Sequence, residues 1–513
     1  MASVNWRCKN CGHDYTVNQI SYPPIPQHLL TTNDPPSDTE LDSLNDIIPI
    51  AIADIGQELV TLNDDIESLQ KTLQALQARR TEVEARLLEC RSVVSPIRYV
   101  PPEILKEIIS EATIGEPVPL DNKKGIWSYS RVSRMWRSVT VSTPVFWSTI
   151  HVHAPTSLNS FNRVVECLRT ILSRTKECPL SLDFYHYDLL EPRYDWALKL
   201  LESLVLHAPQ WRRVSLTMPD TAHFVHVLNS MKDRVTCLEE LSLILREDEY
   251  HVFGVNRQSV ACFRNAPALR RVSFNDRPTL QNLDMQYIDF IPWSQITEYK
   301  ADSAFETDCL LSLKSLPNLT YLQLHAQRVH PYHPIPDNVE LQKLYWLDVS
   351  GSRGIIRRLT LPALQQLTIP LASDEFSPIM NLIRRSECCI ITLILDGSRG
   401  PLNTNALVIF LKSLPSVSTL DLSSQSPENI TILCNILIQS TRENATLLPA
   451  LTELILPGKQ IHDFVDPLVS FLQQRGDSSS AVPVKSVVFT GPYQPLPPEL
   501  LPLQCDELHI SFN

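Results

Sequence analysis

One pattern, apolar-x-x-apolar-x-apolar, returns along most of the chain and limits the possible folds more than any other feature. It stands at Trp211/Val214/Leu216, Leu238/Leu241/Leu243, Leu269/Val272/Phe274, Leu319/Leu322/Leu324, Leu344/Leu347/Val349 and Leu364/Leu367/Ile369. It continues at Ile390/Leu393/Leu395, Val417/Leu420/Leu422, Leu451/Leu454/Leu456, Val484/Val487/Phe489 and Cys505/Leu508/Ile510, with weaker copies at Leu180/Leu182 and Ile296/Tyr299. The interval averages about 27 residues, a period at which one strand-plus-helix unit can be stacked on the next. Proline precedes the motif by two residues at Pro209, Pro267, Pro317, Pro362, Pro415 and Pro449, after helical patterns such as Trp196–Ala208 and Ala406–Leu414. Proline cannot continue a helix, so the unit reads helix, proline stop, short strand. Units of this kind stack into a parallel sheet on the concave side with helices outside.

Strand alternation then decides which residues face a partner. The second and third apolar residues point inward, and the position just before the second faces the concave side. Copy by copy it reads Arg213, Glu240, Arg271, Glu298, Tyr321, Trp346, Gln366, Thr392, Thr419, Glu453, Ser486 and Glu507. The first four alternate in sign on neighbouring strands and can neutralise one another. Tyr321 and Trp346 follow as adjacent large aromatics, the residue types that anchor interfaces. The expectation is a target-binding hot spot at Tyr321 and Trp346 with Asp348 beside them. The alternative is that the insertion from His325 to Val339 folds back over the pair.

The chain before the repeats is organised differently. Residues 1–46 carry a Pro-rich, polar stretch from Pro23 to Asp46 and read as a mobile N-terminus. Within it, Cys8-x2-Cys11 and His13 supply half of a tetrahedral zinc set, with His28 the next candidate ligand; two free thiols are the alternative reading. Over residues 47–94, apolar residues at Ile52, Ile55, Leu59, Leu62, Ile66, Leu69, Leu73, Leu76, Val83, Leu87 and Cys90 alternate by three and four. That spacing makes a helix with one narrow seam, broken at Arg80. The seam asks for cover, either from a second copy through residues 52–90 or from the rest of the chain. Arg79 and Glu84 are spaced for one attractive pair in a parallel dimer.

Ser95-Pro96 ends that helix, and residues 95–150 begin with Pro101-Pro102-Glu103 before the apolar set Ile104, Leu105, Ile108 and Ile109. After a loop marked by Gly115, Pro117 and Pro119, a second helical pattern carries Val132 and Trp136 at i and i+4, and Trp147 follows. This segment resembles the F-box, and together with residues 151–513 the chain is similar to fungal F-box proteins with irregular leucine-rich repeats. The resemblance implies an α/β chain: a coiled-coil helix and an all-α F-box, then an irregular leucine-rich-repeat solenoid. It also implies that Pro101, Pro102, Glu103, Ile104, Leu105, Ile108, Val132, Trp136 and Trp147 meet a Skp-family adaptor or shape the surface that does. Trp147 fits the strand pattern Trp147/Ile150/Val152 equally well. Two positions depart from the family: Val100 stands where leucine is usual, and Ser133 where cysteine is frequent. The asparagine or cysteine expected after each repeat strand is replaced by Pro219, Arg246, Arg277, Gln327 and Ser352, which predicts turns that vary from copy to copy.

Composition narrows the function classes. The formal charge of -12 argues against a phosphate-tracking surface, so no nucleic acid is expected. The 12 Cys lack a disulfide framework, which points to reduced thiols and to cytoplasm or nucleus. No apolar run reaches the length of a membrane span, and no membrane partner is expected. Phosphate-binding, zinc-protease, nucleophile-elbow and dinucleotide motifs are absent, so no catalytic residue and no cofactor can be nominated. The implied function is that of a non-enzymatic receptor subunit in a Skp-cullin-F-box ubiquitin ligase, reaching the cullin through the adaptor and holding an unknown protein target. The alternative is a scaffold of the same build acting outside ubiquitylation.

Overall fold

The computed structural model describes residues 5–7, 14–16, 25–153, 155, 157–186, 193–218, 224–246, 261–277, 291–303, 310, 312–325, 338–349, 353–371, 376–397, 402–442, 446–477, 481–491, 495–504 and 508–512. The chain divides into two units, Met1–Pro101 and Pro102–Asn513.

In the first unit, β1 (Asn5–Arg7) and β2 (Asp14–Thr16) pair antiparallel, Asn5 opposite Thr16. Cys8, Cys11 and His13 lie outside the described residues. The stretch expected to be unstructured instead holds α1 (Gln27–Thr31) and α2 (Asp38–Leu44). Ser37 and Glu40 form a capping box there, which satisfies amide donors that would otherwise be orphaned. Next comes α3 (Ile47–Val93), a helix of 47 residues with no buried residue. Its length makes the seam a feature in its own right: Ile52 and Leu59 are more than 60% exposed.

The second unit opens with three helical pieces. Proline is the first residue of α4 (Pro102–Ala112), where its missing amide costs nothing. Then come α5 (Ile126–Tyr129) and α6 (Arg134–Ser142). The single helical pattern read from the sequence is therefore two helices separated by a turn. Val132 lies in that turn, not on α6 four residues before Trp136, because Ser133 is the N-cap and accepts a hydrogen bond from the Trp136 amide at 3.3 Å. Ser133 thus has a local structural duty.

From Thr149 onward every strand of the main sheet pairs parallel with its sequence neighbour in that sheet. In order these are β3 (Thr149–His153), β4 (Leu180–Tyr185), β5 (Trp211–Met218), β6 (Glu240–Arg246), β7 (Arg271–Arg277), β8 (Glu298–Ser303) and β9 (Tyr321–Leu324). They continue as β11 (Trp346–Val349), β13 (Gln366–Pro370), β14 (Thr392–Asp396), β15 (Thr419–Asp421), β16 (Glu453–Pro457), β17 (Ser486–Thr490) and β18 (His509–Phe512), giving 14 strands. A separate parallel pair, β10 (Val339–Glu340) and β12 (Leu359–Thr360), stands outside this sheet. The result is a mixed α/β unit built on one large parallel sheet, compatible with a repeat solenoid.

The register explains the motif. Its second apolar residue forms one ladder from Ile150 through Leu182, Val214, Leu241, Val272, Tyr299, Leu322, Leu347, Leu367, Leu393, Leu420, Leu454 and Val487 to Ile510. All of these residues are buried. Intervening helices such as Leu158–Thr175, Ser377–Ser386 and Pro427–Arg442 bury their own apolar faces. Two aromatic stacks tie helix to helix: Phe161 on Trp196 at 5.4 Å and Phe376 on Phe410 at 4.7 Å.

Two details depart from the pattern. In the last copy Ile510, not Leu508, pairs with Val487, so His509 and not Glu507 aligns with Ser486. Both Leu508 and Ile510 are buried, so either register satisfies the hydrophobic pattern and the ladder itself decides. Second, Arg246 and Arg277 pair inside β6 and β7, at positions where the sequence reading expected turns, so these strands run to 7 residues while β9 and β11 have 4.

Candidate functional site

Two surfaces of the second unit collect the residues expected to bind partners. The first is on the helical pieces. Leu105 and Ile109 are at most 1% exposed and form the inward face of α4, whereas Ile104 and Ile108, on the other side, are 46% and 41% exposed. Helical spacing of three to four residues explains the split. Val132 and Met135 add exposed apolar area, Trp136 is half-buried with its ring 6.1 Å from Tyr129, and Pro101, Pro102 and Glu103 are exposed. Met135 was missed in the sequence, although its place beside Trp136 was a signal.

Trp147 is a correction. It has no exposed surface and donates its indole N–H to the Thr140 carbonyl at 2.8 Å, so it cannot touch a partner. It ends the 3-10 turn Pro144–Trp147 just before β3 and packs edge-on against Trp127. Leu105 is likewise buried, and only a shaping role remains for either residue.

The second surface is the face of the sheet opposite the buried ladder. Arg213, Glu240, Arg271, Glu298, Tyr321, Trp346, Gln366, Thr392, Thr419, Glu453 and Ser486 are aligned residue by residue across it. Arg271 reaches Glu240 at 3.2 Å, so part of the charge row is spent within the chain. Exposed pairs of this kind contribute at most about 1 kcal/mol.

Tyr321 and Trp346 are register partners with ring centroids 4.8 Å apart in an edge-to-face arrangement. Both are half-buried. The Trp346 indole N–H donates to the Thr368 hydroxyl at 3.1 Å, and the Tyr321 hydroxyl donates to Gln323 at 3.3 Å. Lys300 places its ammonium 5.7 Å from the Tyr321 ring centre. Burial lifts the Tyr321 phenol to about 12, aided by the charges of Asp348 and Glu298.

Asp348 stands one row further along the same strand. Burial, and then the charge of Asp396, push its carboxyl up to about 6, against the opposing pull of His325 and Lys300. The sequence named three residues of this cluster and missed Lys300, Gln323, Thr368 and Asp396. Lys300, Gln323 and Thr368 share the row of Asp348, two positions beyond the aromatic pair, and Asp396 lies two strands from Asp348 and two positions further along, so only a fixed register makes them neighbours. The arrangement offers aromatic edges, hydrogen-bonding groups and a carboxylate on one surface. Much of the insertion expected to cover it, 326–337, lies outside the described residues. Among the described residues no group of three or more His, Cys, Asp or Glu is placed to hold a metal ion, and no helix is long and apolar enough to cross a membrane.

No family model and no curated protein matches the chain. Among solved structures it is similar to a protein of Bacteroides fragilis whose crystal structure was determined by the Northeast Structural Genomics Consortium. The identity is 12%, the match covers 69% of this chain and 83% of that one, and the TM-score is 0.28.

Proposed function

We propose that the chain is a non-catalytic receptor subunit of a Skp-cullin-F-box ubiquitin ligase. In this reading the helical pieces from Pro102 to Ser142 are an F-box that docks a Skp-family adaptor, and the sheet is an irregular leucine-rich-repeat arc that presents a protein target. The observation that carries it is the two-sidedness of α4. Ile104 and Ile108, with Val132 and Met135, leave an apolar patch in solvent while the alternate residues of the same helix fill the core. Such a patch next to a half-buried tryptophan is the anatomy of a partner interface. The aromatic pair Tyr321/Trp346, with Asp348, is the proposed target contact. The receptor's contribution is proximity, raising the effective concentration of a target lysine near an activated ubiquitin carried by other subunits.

Co-purification tests the two surfaces separately. Ile104→Asp with Val132→Asp is expected to lose the adaptor and with it the cullin, while Tyr321→Ala with Trp346→Ala keeps the adaptor and loses the target. A folded wild-type chain that binds no Skp-family adaptor overturns the reading; one that binds adaptor without cullin favours the scaffold alternative.

A further inference from the structure

We infer that α3 is a self-association element, and that two copies of it pair antiparallel. The helix is continuous from Ile47 to Val93 and none of its residues is buried. Its seam residues remain in solvent throughout, from Ile52 at 66% to Leu87 at 48% exposed. A narrow three-four seam of this length is satisfied by one further helix. The charges on the helix say which helix and in which direction.

From Asp46 to Gln70 the helix and its cap carry Asp46, Asp54, Glu58, Asp64, Asp65 and Glu67 and no basic residue. From Lys71 to Arg91 the balance reverses: Lys71, Arg79, Arg80, Arg86 and Arg91 stand against Glu82, Glu84 and Glu89. Two copies side by side in the same direction set acid against acid. Head to tail, the acidic half of each lies along the basic half of the other.

The seam makes the same choice at single residues. In a parallel, in-register pair Arg80 meets Arg80 of the second copy inside the seam. It also sets Arg86 against Arg91 of the second copy, a repulsion that offsets the attractive pair between Arg79 and Glu84. In the antiparallel pair that matches apolar layers best, Leu69 meets Leu73, Ile66 meets Leu76, Leu59 meets Val83 and Ile55 meets Leu87. Arg80 then faces Leu62, about 27 Å along the helix from Arg80 of the other copy. The flanking positions fall into register as Glu58 with Arg86 and Asp65 with Arg79, each occurring twice by symmetry, and Thr72 meets itself. No like-charged flanking pair remains. Within one chain Arg79 and Arg86 share the same carboxylate, Glu82, at 2.7 and 3.9 Å, on side chains more than half exposed. Such contacts hold weakly and leave both arginines open to a better partner.

This arrangement has a geometric consequence. Val93 of each copy lies level with Pro49 of the other, so the two chains leave the paired helices about 66 Å apart, at opposite ends. A dimer of this kind carries two copies of whatever follows α3, which favours a target with two binding sites.

Cross-linking of the full chain tests the inference. Cys90 is an exposed thiol that faces Ile52 of the second copy in the antiparallel pair and Cys90 itself in the parallel one. Ile52→Cys, treated with a short bismaleimide and mapped by peptide mass spectrometry, is expected to join position 52 of one copy to Cys90 of the other, in a chain whose light-scattering mass is that of a dimer. A Cys90-to-Cys90 link, or a monomeric mass for the unmodified chain, overturns it. Charge reversal gives an independent arm. Arg79→Glu with Arg86→Glu is expected to weaken self-association more than about tenfold, and adding Glu58→Arg with Asp65→Arg to restore it; failure of the second pair to restore it refutes the antiparallel register. Neither readout depends on adaptor or target.

Discussion

Replacing Asp348 by asparagine is expected to stabilise the chain at neutral and alkaline pH and to have little effect in acid. In the folded state burial, helped by the charge of Asp396, holds the carboxyl at about 6 rather than 3.8, while His325 and Lys300 act in the opposite direction. The unfolded chain keeps the ordinary value. Below about pH 3.8 both states are protonated and the group is neutral in the balance. Between about pH 3.8 and about 6 the unfolded chain releases this proton while the folded state keeps it, so stability is lost across that window and the loss is complete above about pH 6. At full strength the shift from 3.8 to about 6 corresponds to about 3 kcal/mol. Solvent reaches part of this side chain, and screening reduces the expected effect to about 1 to 2 kcal/mol. Urea unfolding followed by tryptophan fluorescence, on wild type and Asp348→Asn at about pH 4.5 and pH 8, reports the term, because titrations of groups that do not interact with Asp348 cancel in the difference. The variant is expected to gain about 1 to 2 kcal/mol at pH 8, with most of that gain gone at pH 4.5. An equal gain at both pH values, or a loss at pH 8, refutes the assignment of the penalty to this carboxyl.

Arg475 is 1% exposed and donates to the carbonyls of Val482 at 3.0 Å and Leu447 at 3.2 Å, and also to that of Leu448, a residue with φ of 48°. Arg475→Met leaves the buried Leu447 carbonyl without its donor while relieving a buried cation; Leu448 keeps the Leu451 amide and Val482 is an exposed residue, so thermal or urea unfolding is expected to show a net loss of about 1 to 3 kcal/mol. Neighbours on α4 are expected to behave oppositely: Leu105→Ala costs about 2 to 5 kcal/mol in urea unfolding, whereas Ile104→Ser costs less than about 1 kcal/mol and acts on adaptor recovery instead.

The strands were legible because burial of the triplet leaves a strand little freedom. Alternation puts two residues of each triplet on the inward face, and a slip of one residue would expose them all. A slip of two preserves the pattern, and that is where the reading failed, at Leu508 and Ile510. Tyr321 and Trp346 could be placed side by side from the repeat alone, since parallel strands bring equivalent positions together. The raised carboxyl of Asp348 could not, because Asp396 sits two strands and more than forty residues away and enters only through the register of β11, β13 and β14. Trp147 failed for another reason. An aromatic at the junction of two modules satisfies the pattern of both, and its full burial, with the indole N–H bonded back to Thr140 on α6, takes it out of reach of a partner. The turn at Val132 was hidden by a serine whose value as an N-cap depends on the amide of Trp136 being free to donate to its hydroxyl.

What joins the two candidate surfaces is rigid packing. The Val118 amide donates to the Thr149 carbonyl at 2.8 Å, and Val118 bridges Ile150 as an isolated parallel partner, so the loop between α4 and α5 adds one more rung to the sheet edge. Trp127 closes the same loop through its indole N–H to the Pro119 carbonyl at 2.9 Å and meets Trp147 edge-on at 4.9 Å. The Arg174 guanidinium, from the helix Leu158–Thr175, lies over both rings, 4.9 and 4.3 Å from their centres, and burial lowers its pKa, with Arg137 adding to the effect. Helices, loop and first strand are therefore packed together, and from β3 the sheet runs through six strand-to-strand steps to Tyr321. At about 4.8 Å per step the aromatic pair begins about 29 Å along the ladder from that edge. A flexible tether would spread a bound target over a volume that grows with its length, whereas a sheet of fixed register holds it at one distance. In the proposed receptor, then, reach is set by the number of strands between Ile150 and Trp346, and a chain with one unit removed from that interval would present its target about 4.8 Å closer without losing a single contact residue.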